Sequence, residues 1–142
     1  MRFFVAGIMQ GSRQDPDICS QDYRTAIREI ILQKYPQAEV ICPLELYPDS
    51  PYYGPDEGKR TFLDLATRAK EADFLIAYLP EASMGTAIEM WQAYGEGVPI
   101  LSISPMTANW VVKFLSAWVF ATLEDFAEFV ASGGLEKMTP GN

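Results

Sequence analysis

Apolar and polar positions divide the chain into two kinds of segment. Five short runs are rich in β-branched, aromatic and other apolar residues and have the length of buried strands; they span residues 2–6, 38–42, 73–79, 98–103 and 118–121. Between them, apolar residues recur at helical spacing and predict helices over residues 17–35, 57–71, 86–94, 108–117 and 123–131. This alternation predicts an α/β fold with a five-stranded parallel sheet and helices on both faces, of the Rossmann or flavodoxin-like type.

The length of 142 residues is that of one domain, which we expect to cover residues 1–132. Residues 133–142 begin with two glycines and end in Thr-Pro-Gly-Asn, and they are predicted to form a polar C-terminal tail.

The segment 43–58 is longer than an ordinary connection between a strand and a helix, and it is rich in proline and tyrosine. Segments of this kind are often lids or binding loops, so Tyr47 and Tyr53 are candidate substrate-binding residues. A surface loop whose tyrosines pack against the domain itself remains an open alternative.

Composition narrows the possible partners and chemistry. The formal net charge of −8 disfavours binding to a nucleic acid polymer. No apolar run approaches the roughly 20 residues of a membrane span, and Met1 leads directly into a strand, so we expect a cytoplasmic protein without a membrane partner. Histidine is absent, which leaves carboxylates as the best placed acids, bases or nucleophiles. Cys19 and Cys42 suggest neither a disulfide scaffold nor a metal cluster, and no metal or other cofactor is expected.

Residues 71–89 predict a strand that passes through a tight turn into a helix. Pro80 ends the strand, Ser83 is a natural N-cap, and Gly85 allows a ligand to approach the backbone. The free N–H groups of the first turn, including that of Thr86, can hold an anion, while the helix dipole is expected to keep Glu89 ionised. An ordinary turn followed by a solvated glutamate remains the alternative.

The first loop follows the first strand directly and carries Gly7, Gly11 and Arg13. Its backbone N–H groups could wrap a phosphate or sugar hydroxyls, and Arg13 could pair with a phosphate. The spacing matches neither the dinucleotide-binding nor the Walker pattern.

Three segments together resemble the nucleoside 2-deoxyribosyltransferase family, which includes the related 2′-deoxynucleoside 5′-monophosphate N-glycosidases. They are the Gly7–Gly11 loop after the first strand, Asp64-Leu65 before a Glu-Ala-Asp strand, and Ser-x-Gly-Thr-x-x-Glu at residues 83–89. The resemblance covers roughly residues 2–125. The Gly-Thr-x-x-Glu part alone is also similar to the cytokinin-activating phosphoribohydrolases.

The resemblance implies a set of roles. Glu89 would attack the anomeric carbon and form a covalent glycosyl-enzyme, and Asp64 would handle the proton of the nucleobase. Asn109 would contribute its side chain to the active site of a neighbouring subunit, which implies a homodimer or a higher homo-oligomer. The family's tyrosine that steadies the nucleophile is absent at Phe3 and Phe4, so another hydroxyl would have to replace it.

Position 83 bears on the substrate, a small nucleoside or nucleotide. Transferases that act on free nucleosides tend to have an aspartate there, whereas the monophosphate hydrolases have a serine, as this chain does. A serine hydroxyl donates to a phosphate that a carboxylate would repel, so a 5′-phosphorylated substrate is slightly favoured. Base exchange between free 2′-deoxynucleosides and a non-catalytic nucleotide-binding or sensor module remain alternatives.

Overall fold

The computed structural model describes residues 1–11, 13–14 and 17–139, and within them a five-stranded sheet. The strands are β1 (Arg2–Gly7), β2 (Glu39–Ile41), β3 (Phe74–Tyr78), β4 (Ile100–Ile103) and β5 (Trp118–Phe120). All neighbouring pairs are parallel, and the order is β2-β1-β3-β4-β5. This is the strand order of flavodoxin-like folds, and it confirms the predicted parallel sheet.

The helices include all five that the sequence predicts. Those are α1 (Asp22–Lys34), α3 (Pro55–Lys70), α4 (Met84–Gly95), α5 (Trp110–Leu115) and α6 (Leu123–Ala131). Two short helices, α2 (Pro43–Leu46) and α7 (Gly134–Met138), and a 3-10 turn at Ser50–Tyr52 were not predicted. Among the described residues, no helix is both long and apolar enough to cross a membrane.

Helix α1 begins five residues later than predicted because Gln21 holds the preceding segment outside the helix. Its side-chain amide donates to the backbone carbonyls of Ile8 (3.0 Å) and Cys19 (2.7 Å). The first turn of the predicted helix is therefore part of the loop that follows β1.

The core consists of two layers, one on each face of the sheet. In β1, Phe3 and Val5 face a cluster that includes Ile27 of α1, while Phe4 and Ala6 face a cluster that includes Met90 of α4. Helices α1, α6 and α7 cover the first face, and α3, α4 and α5 cover the second. The prediction of helices on both faces is confirmed.

The C-terminal segment differs from the predicted polar tail. Gly133 adopts a left-handed φ of 81°, and α7 follows it. Leu135 is completely buried, and Gly134 lies so close to Phe129 that a Cβ would be 2.5 Å from its ring. Leu135 and Met138, two apolar residues in a short polar segment, were too few to give a periodic signal, yet both pack at the end of the core. Residues 140–142 of the predicted tail lie outside the described residues.

The connections from β1 and β3 leave the sheet on opposite faces. Strand β1 leads to α1 on one face, whereas its neighbour β3 leads to α4 on the other. A crevice therefore opens between the carboxyl ends of these two strands, which is where open α/β sheets bind their ligands.

Candidate active site

A cleft of about 270 Å³ occupies this crevice. Six of the predicted site residues line it: Gly7, Gly11, Ser83, Gly85, Thr86 and Glu89. The lining also contains residues that were not predicted to be site residues: Met9, Gln10, Arg24, Pro43, Phe62, Leu65 and Met84. The cleft therefore has an apolar wall from α3 and neighbouring segments and a polar wall from the start of α4.

The predicted N-cap of α4 is present. The Ser83 hydroxyl accepts a hydrogen bond from the Thr86 backbone N–H (3.4 Å) and lies 2.9 Å from the Thr86 hydroxyl. A Cβ added to Gly85 would meet nothing within 4 Å. The start of α4 therefore leaves open space at the position where the backbone borders the cleft.

Glu89 lies in the second turn of α4, half-buried in the cleft. Burial raises the pKa of its carboxyl group to about 8, and the positive charge of Arg24 opposes this rise. The expectation that the helix dipole keeps Glu89 ionised is therefore wrong. The dipole acts mainly over the first turn, and the loss of hydration outweighs it one turn further on.

Arg24 is a buried cation that was not predicted from the sequence. It is only 5% exposed, and its guanidinium donates to the carbonyls of Val5 (2.7 Å) and Gly7 (3.3 Å) and to the Gln21 side chain (2.8 Å). Its spacing from Ile27 places it on the buried stripe of α1. An arginine on an otherwise apolar stripe was the signal that could have identified it.

Tyr23 lies next to Arg24 and explains why residue 7 is a glycine. A Cβ at Gly7 would collide with the Tyr23 ring and hydroxyl, and that hydroxyl donates to the Ile8 carbonyl (3.0 Å). Burial raises the pKa of Tyr23, and the Glu89 carboxylate adds to the rise. The Tyr23 hydroxyl therefore interacts electrostatically with Glu89. It is a candidate for the hydroxyl that would replace the family's tyrosine, which is absent at Phe3 and Phe4.

The backbone conformation and the surroundings of residue 11 explain why it is a glycine. Its φ of 61° lies in the left-handed region, and a Cβ would be 2.5 Å from a carboxylate oxygen of Glu81. The residue lets the first loop turn tightly against the segment that follows β3. Arg13, two residues later, lines a separate cavity with Tyr78 and Glu81 and does not border the cleft.

Asp64 lies on α3 but does not border the cleft. It accepts hydrogen bonds from the Tyr47 hydroxyl (2.5 Å) and from the Arg68 guanidinium (2.7 Å), and these two bonds hold the pKa of its carboxyl group below the usual value. Tyr53 does not border the cleft either. The aromatic side chain that lines the cleft is that of Phe62 in α3. Pro43 is the residue of the 43–58 segment that reaches the cleft.

Asn109 caps α5. Its side-chain oxygen accepts from the backbone N–H groups of Val111 (3.0 Å) and Val112 (3.4 Å), and the residue borders a groove of about 150 Å³ beside Ser83 and Met84. This groove lies next to the cleft and shares two of its lining residues.

No protein-family model matches the chain, and no curated protein matches its sequence. Solved structures do. A 2-deoxyribosyltransferase from Bacillus psychrosaccharolyticus superposes with a TM-score of 0.67 at 16% identity, covering 89% of this chain and 90% of that one. The chain shares its fold with this enzyme.

Two further structures have the same fold. A CMP N-glycosidase from Clostridium botulinum superposes with a TM-score of 0.56 at 19% identity, covering 93% of this chain and 98% of that chain. A conserved protein from Enterococcus faecalis V583 gives a TM-score of 0.60 at 18% identity, with coverage of 92% and 97%. Fold likeness to the nucleoside 2-deoxyribosyltransferases, expected from three sequence segments, is thus confirmed.

Proposed function

We propose that this protein is an N-glycosidic enzyme of the nucleoside 2-deoxyribosyltransferase type, acting on a nucleoside or its 5′-monophosphate. The observation that carries the proposal is the position of Glu89 in a cleft at the switch point of a sheet that this chain shares with two such enzymes. The residues of the Ser-x-Gly-Thr-x-x-Glu motif border the same cleft.

In the proposed reaction, a Glu89 carboxylate oxygen forms a bond to the anomeric carbon while the N-glycosidic bond breaks. The bonding electrons leave with the nucleobase, which takes up a proton from solvent. Water or a second base then attacks the same carbon, loses a proton to solvent and releases the Glu89 carboxylate, so the configuration is retained over the two steps. No cofactor is required by this sequence of events.

The high pKa of Glu89 has a direct consequence for this mechanism. Only the carboxylate is a nucleophile, and with a pKa of about 8 it is the minor form at neutral pH. We therefore expect turnover at low substrate concentration to rise towards pH 8.

Asp64 is proposed to interact with the nucleobase, as the resemblance implies. Its low pKa favours accepting a hydrogen bond from a base N–H over donating a proton. To reach a base in the cleft, Asp64 would exchange its hydrogen bond from Tyr47 for one from the substrate, and the 43–58 segment would shift with it.

A 5′-monophosphate is the slightly favoured substrate form. The Ser83 hydroxyl and the open backbone at Gly85 and Thr86 border the cleft at the positive end of α4, where a phosphate would be stabilised. Arg13 would take part only if the first loop rearranged, because it borders a different cavity.

The test is turnover of a panel of nucleosides and 5′-monophosphates, with and without a second base, followed by chromatography of the released base. Glu89→Ala should lower the rate at least about a thousandfold, equivalent to about 4 kcal/mol of transition-state stabilisation. Glu96→Ala, which removes an exposed carboxylate just beyond the same helix, is the control and should retain activity. Release of base only when a second base is present would identify the transferase form.

A non-catalytic nucleotide-binding module is the second candidate, and the raised pKa of Glu89 is the observation that favours it. A carboxyl group that is mostly protonated at neutral pH can donate a hydrogen bond to a ligand without reacting with it. In that case, ligand binding by calorimetry would persist in Glu89→Gln, and no base would be released from any member of the panel.

We also propose that the protein forms a homo-oligomer through α4 and α5. Large apolar side chains on these helices are exposed: Met84, Ile88, Trp91, Tyr94, Trp110 and Phe114. A monomer rarely exposes so many large apolar side chains on adjacent helices. This surface, which we call the α4/α5 face, adjoins the groove of Asn109 and so supports a site shared between subunits.

A further inference from the structure

Arg24 is fixed in place by the fold. Its three hydrogen bonds, to Val5, Gly7 and Gln21, use every nitrogen of the guanidinium, and the side chain is 5% exposed. The guanidinium therefore cannot swing into water, as the arginines of surface ion pairs can. Because arginine does not deprotonate in proteins, the cleft always contains this positive charge.

The charge is not paired with a carboxylate. Within the part of the chain that the structure describes, none of the ion pairs shorter than 4.0 Å involves Arg24. A buried cation without an ion-pair partner is costly unless something else compensates it. Its compensation here comes from three neutral oxygens and from the Tyr23 ring, whose centroid lies 5.0 Å from the guanidinium carbon. The Glu89 carboxylate adds an electrostatic attraction over a longer distance once it is ionised.

Few other groups act on Glu89. Among the described residues, the lining of the cleft contains no charged side chain besides Arg24 and Glu89 themselves: α3 contributes Phe62 and Leu65, and the first loop contributes Met9 and Gln10. Titratable groups also lie behind the lining. Tyr23 is on the same helix as Arg24, and its ring stacks on that of Tyr78 of β3 at 4.3 Å. The buried thiol of Cys42 interacts electrostatically with both Arg24 and Tyr23.

We propose that Arg24 is a positioning residue for Glu89: it fixes the carboxyl end of β1 through Val5 and Gly7 and supplies the buried positive charge that lets the Glu89 carboxylate form. A direct ion pair would occupy the oxygens with which Glu89 attacks. A charge held beyond ion-pair distance stabilises the carboxylate and leaves those oxygens free for the substrate. The expected effect of Arg24 on the reaction rate rests on the proposed function. Its expected effect on the ionisation of Glu89 does not.

The test compares the neutral variants Arg24→Met and Arg24→Gln with the charge-conserving Arg24→Lys. Arg28→Met is the matched control, because Arg28 lies one turn further along α1 and binds Glu45 (2.9 Å) and the Val40 carbonyl (3.4 Å), outside the cleft. Circular dichroism and thermal unfolding establish that each variant is folded.

The first measurement is the titration of the Glu89 carboxyl carbon by NMR, with Glu89→Gln to assign the resonance. It needs no turnover, so it tests the inference even if the proposed function fails. We expect the midpoint to move to higher pH in the neutral variants and to remain near the wild-type value in Arg24→Lys and Arg28→Met.

The second measurement is the pH profile of kcat/KM. For each pH unit by which the midpoint rises, the rate at neutral pH should fall about tenfold in the neutral variants and recover at alkaline pH. A residue that only holds the fold would lower the rate equally at all pH values.

An unchanged Glu89 midpoint in a folded neutral variant overturns the inference. If neither neutral variant folds while Arg24→Lys does, the charge serves the fold itself and the inference is withdrawn. A wild-type protein that releases no base, but whose Glu89 midpoint moves in Arg24→Met, refutes the proposed function and leaves the role of Arg24 standing.

Discussion

In the proposed reaction, Glu89 is the residue at which stability and activity would conflict. Its carboxyl group is partly withdrawn from water, which raises its pKa to about 8, far above the ordinary value for glutamate. The same withdrawal makes a carboxylate more reactive once it has formed, because fewer water molecules have to leave before it attacks.

The stability consequence can be measured. Between about pH 4.5 and pH 8 the folded protein binds a proton at Glu89 that the unfolded chain has released, so the free energy of unfolding falls as the pH rises through this window. Glu89→Gln removes this effect. We expect its stability advantage over the wild type to be smallest at pH 4.5 and to grow to about 1–3 kcal/mol at pH 8, less than the full shift implies because the group is partly solvated.

Urea unfolding of both proteins at several pH values checks this expectation. The unfolding midpoints should separate as the pH is raised, while the denaturant dependence of the unfolding free energy stays the same. A difference between the two proteins that does not vary with pH would contradict the raised pKa.

Ser83 tests the substrate class. If it contacts a 5′-phosphate, Ser83→Asp introduces a repulsion of about 4 kcal/mol at about 4 Å and intermediate dielectric, so turnover of monophosphates should collapse. Free nucleosides, whose 5′-hydroxyl can donate to a carboxylate, should be spared or improved. Aspartate and asparagine both cap helices, so Ser83→Asn is a neutral control that keeps α4 folded. Equal losses on both substrate classes in Ser83→Asp would contradict the phosphate assignment.

Sequence reasoning succeeded where a residue's role follows from its neighbours in the chain. Ser83 caps α4, and Glu89 borders the cleft, because both follow from a strand, a turn and a helix in succession. Arg24 and Phe62 were missed because their roles depend on which helix packs beside the cleft, and the spacing within one helix does not state this.

At the level of the helices and strands, a boundary was predicted accurately where the residues next to it in the chain determine it. Helix α6 was predicted with the observed bounds, and it begins at a capping box formed by Thr122 and Asp125. Helix α1 was placed too early because the hydrogen bonds of Gln21 that delay it reach back to the loop after β1. Local chemistry determines the first boundary, and tertiary contacts determine the second.

The start of α4 leads to a prediction in which stability and activity change in opposite directions. Gly85 has a helical backbone conformation and open space at its Cβ position, so Gly85→Ala should stabilise the protein by about 0.5–1 kcal/mol. The added methyl group would occupy the cleft, so KM should rise.

Gly58→Ala is the control for this effect. Gly58 lies in helix α3, does not border the cleft, and has its nearest neighbour for an added Cβ at 4.0 Å. Thermal unfolding and initial rates measured on both variants check the prediction. Both should unfold at higher temperature, and only Gly85→Ala should bind substrate more weakly. An unchanged KM in Gly85→Ala would show that substrate does not approach the start of α4.

For the association of whole molecules, the uneven distribution of apolar side chains over the surface matters more than the amino-acid composition of the chain. The net charge of −8 favours repulsion between copies of the chain, and we expect the apolar α4/α5 face to overcome this repulsion in the proposed oligomer. Light scattering after gel filtration should give a mass of at least twice 15.9 kDa for the wild type.

Trp110→Asp places a charge on the α4/α5 face, where Trp110 is 78% exposed, and it should yield monomers. Tyr52→Asp is the matched control, because Tyr52 is 87% exposed but lies in the 43–58 segment. A monomeric wild type, or a Trp110→Asp variant with unchanged mass, would contradict the proposed oligomer.

The strand order also has a consequence for the synthesis of the chain. Strand β1 is made first, yet its partner β3 comes much later, as shown by the bond from the Arg2 amide to the Asp73 side chain, 71 residues further along. A ribosome needs roughly 4 to 14 s to add that many residues. During this interval Phe3 and Phe4, which are completely buried in the folded protein, have no β3 beside them, so the nascent chain exposes two large apolar side chains to chaperones and to other nascent chains.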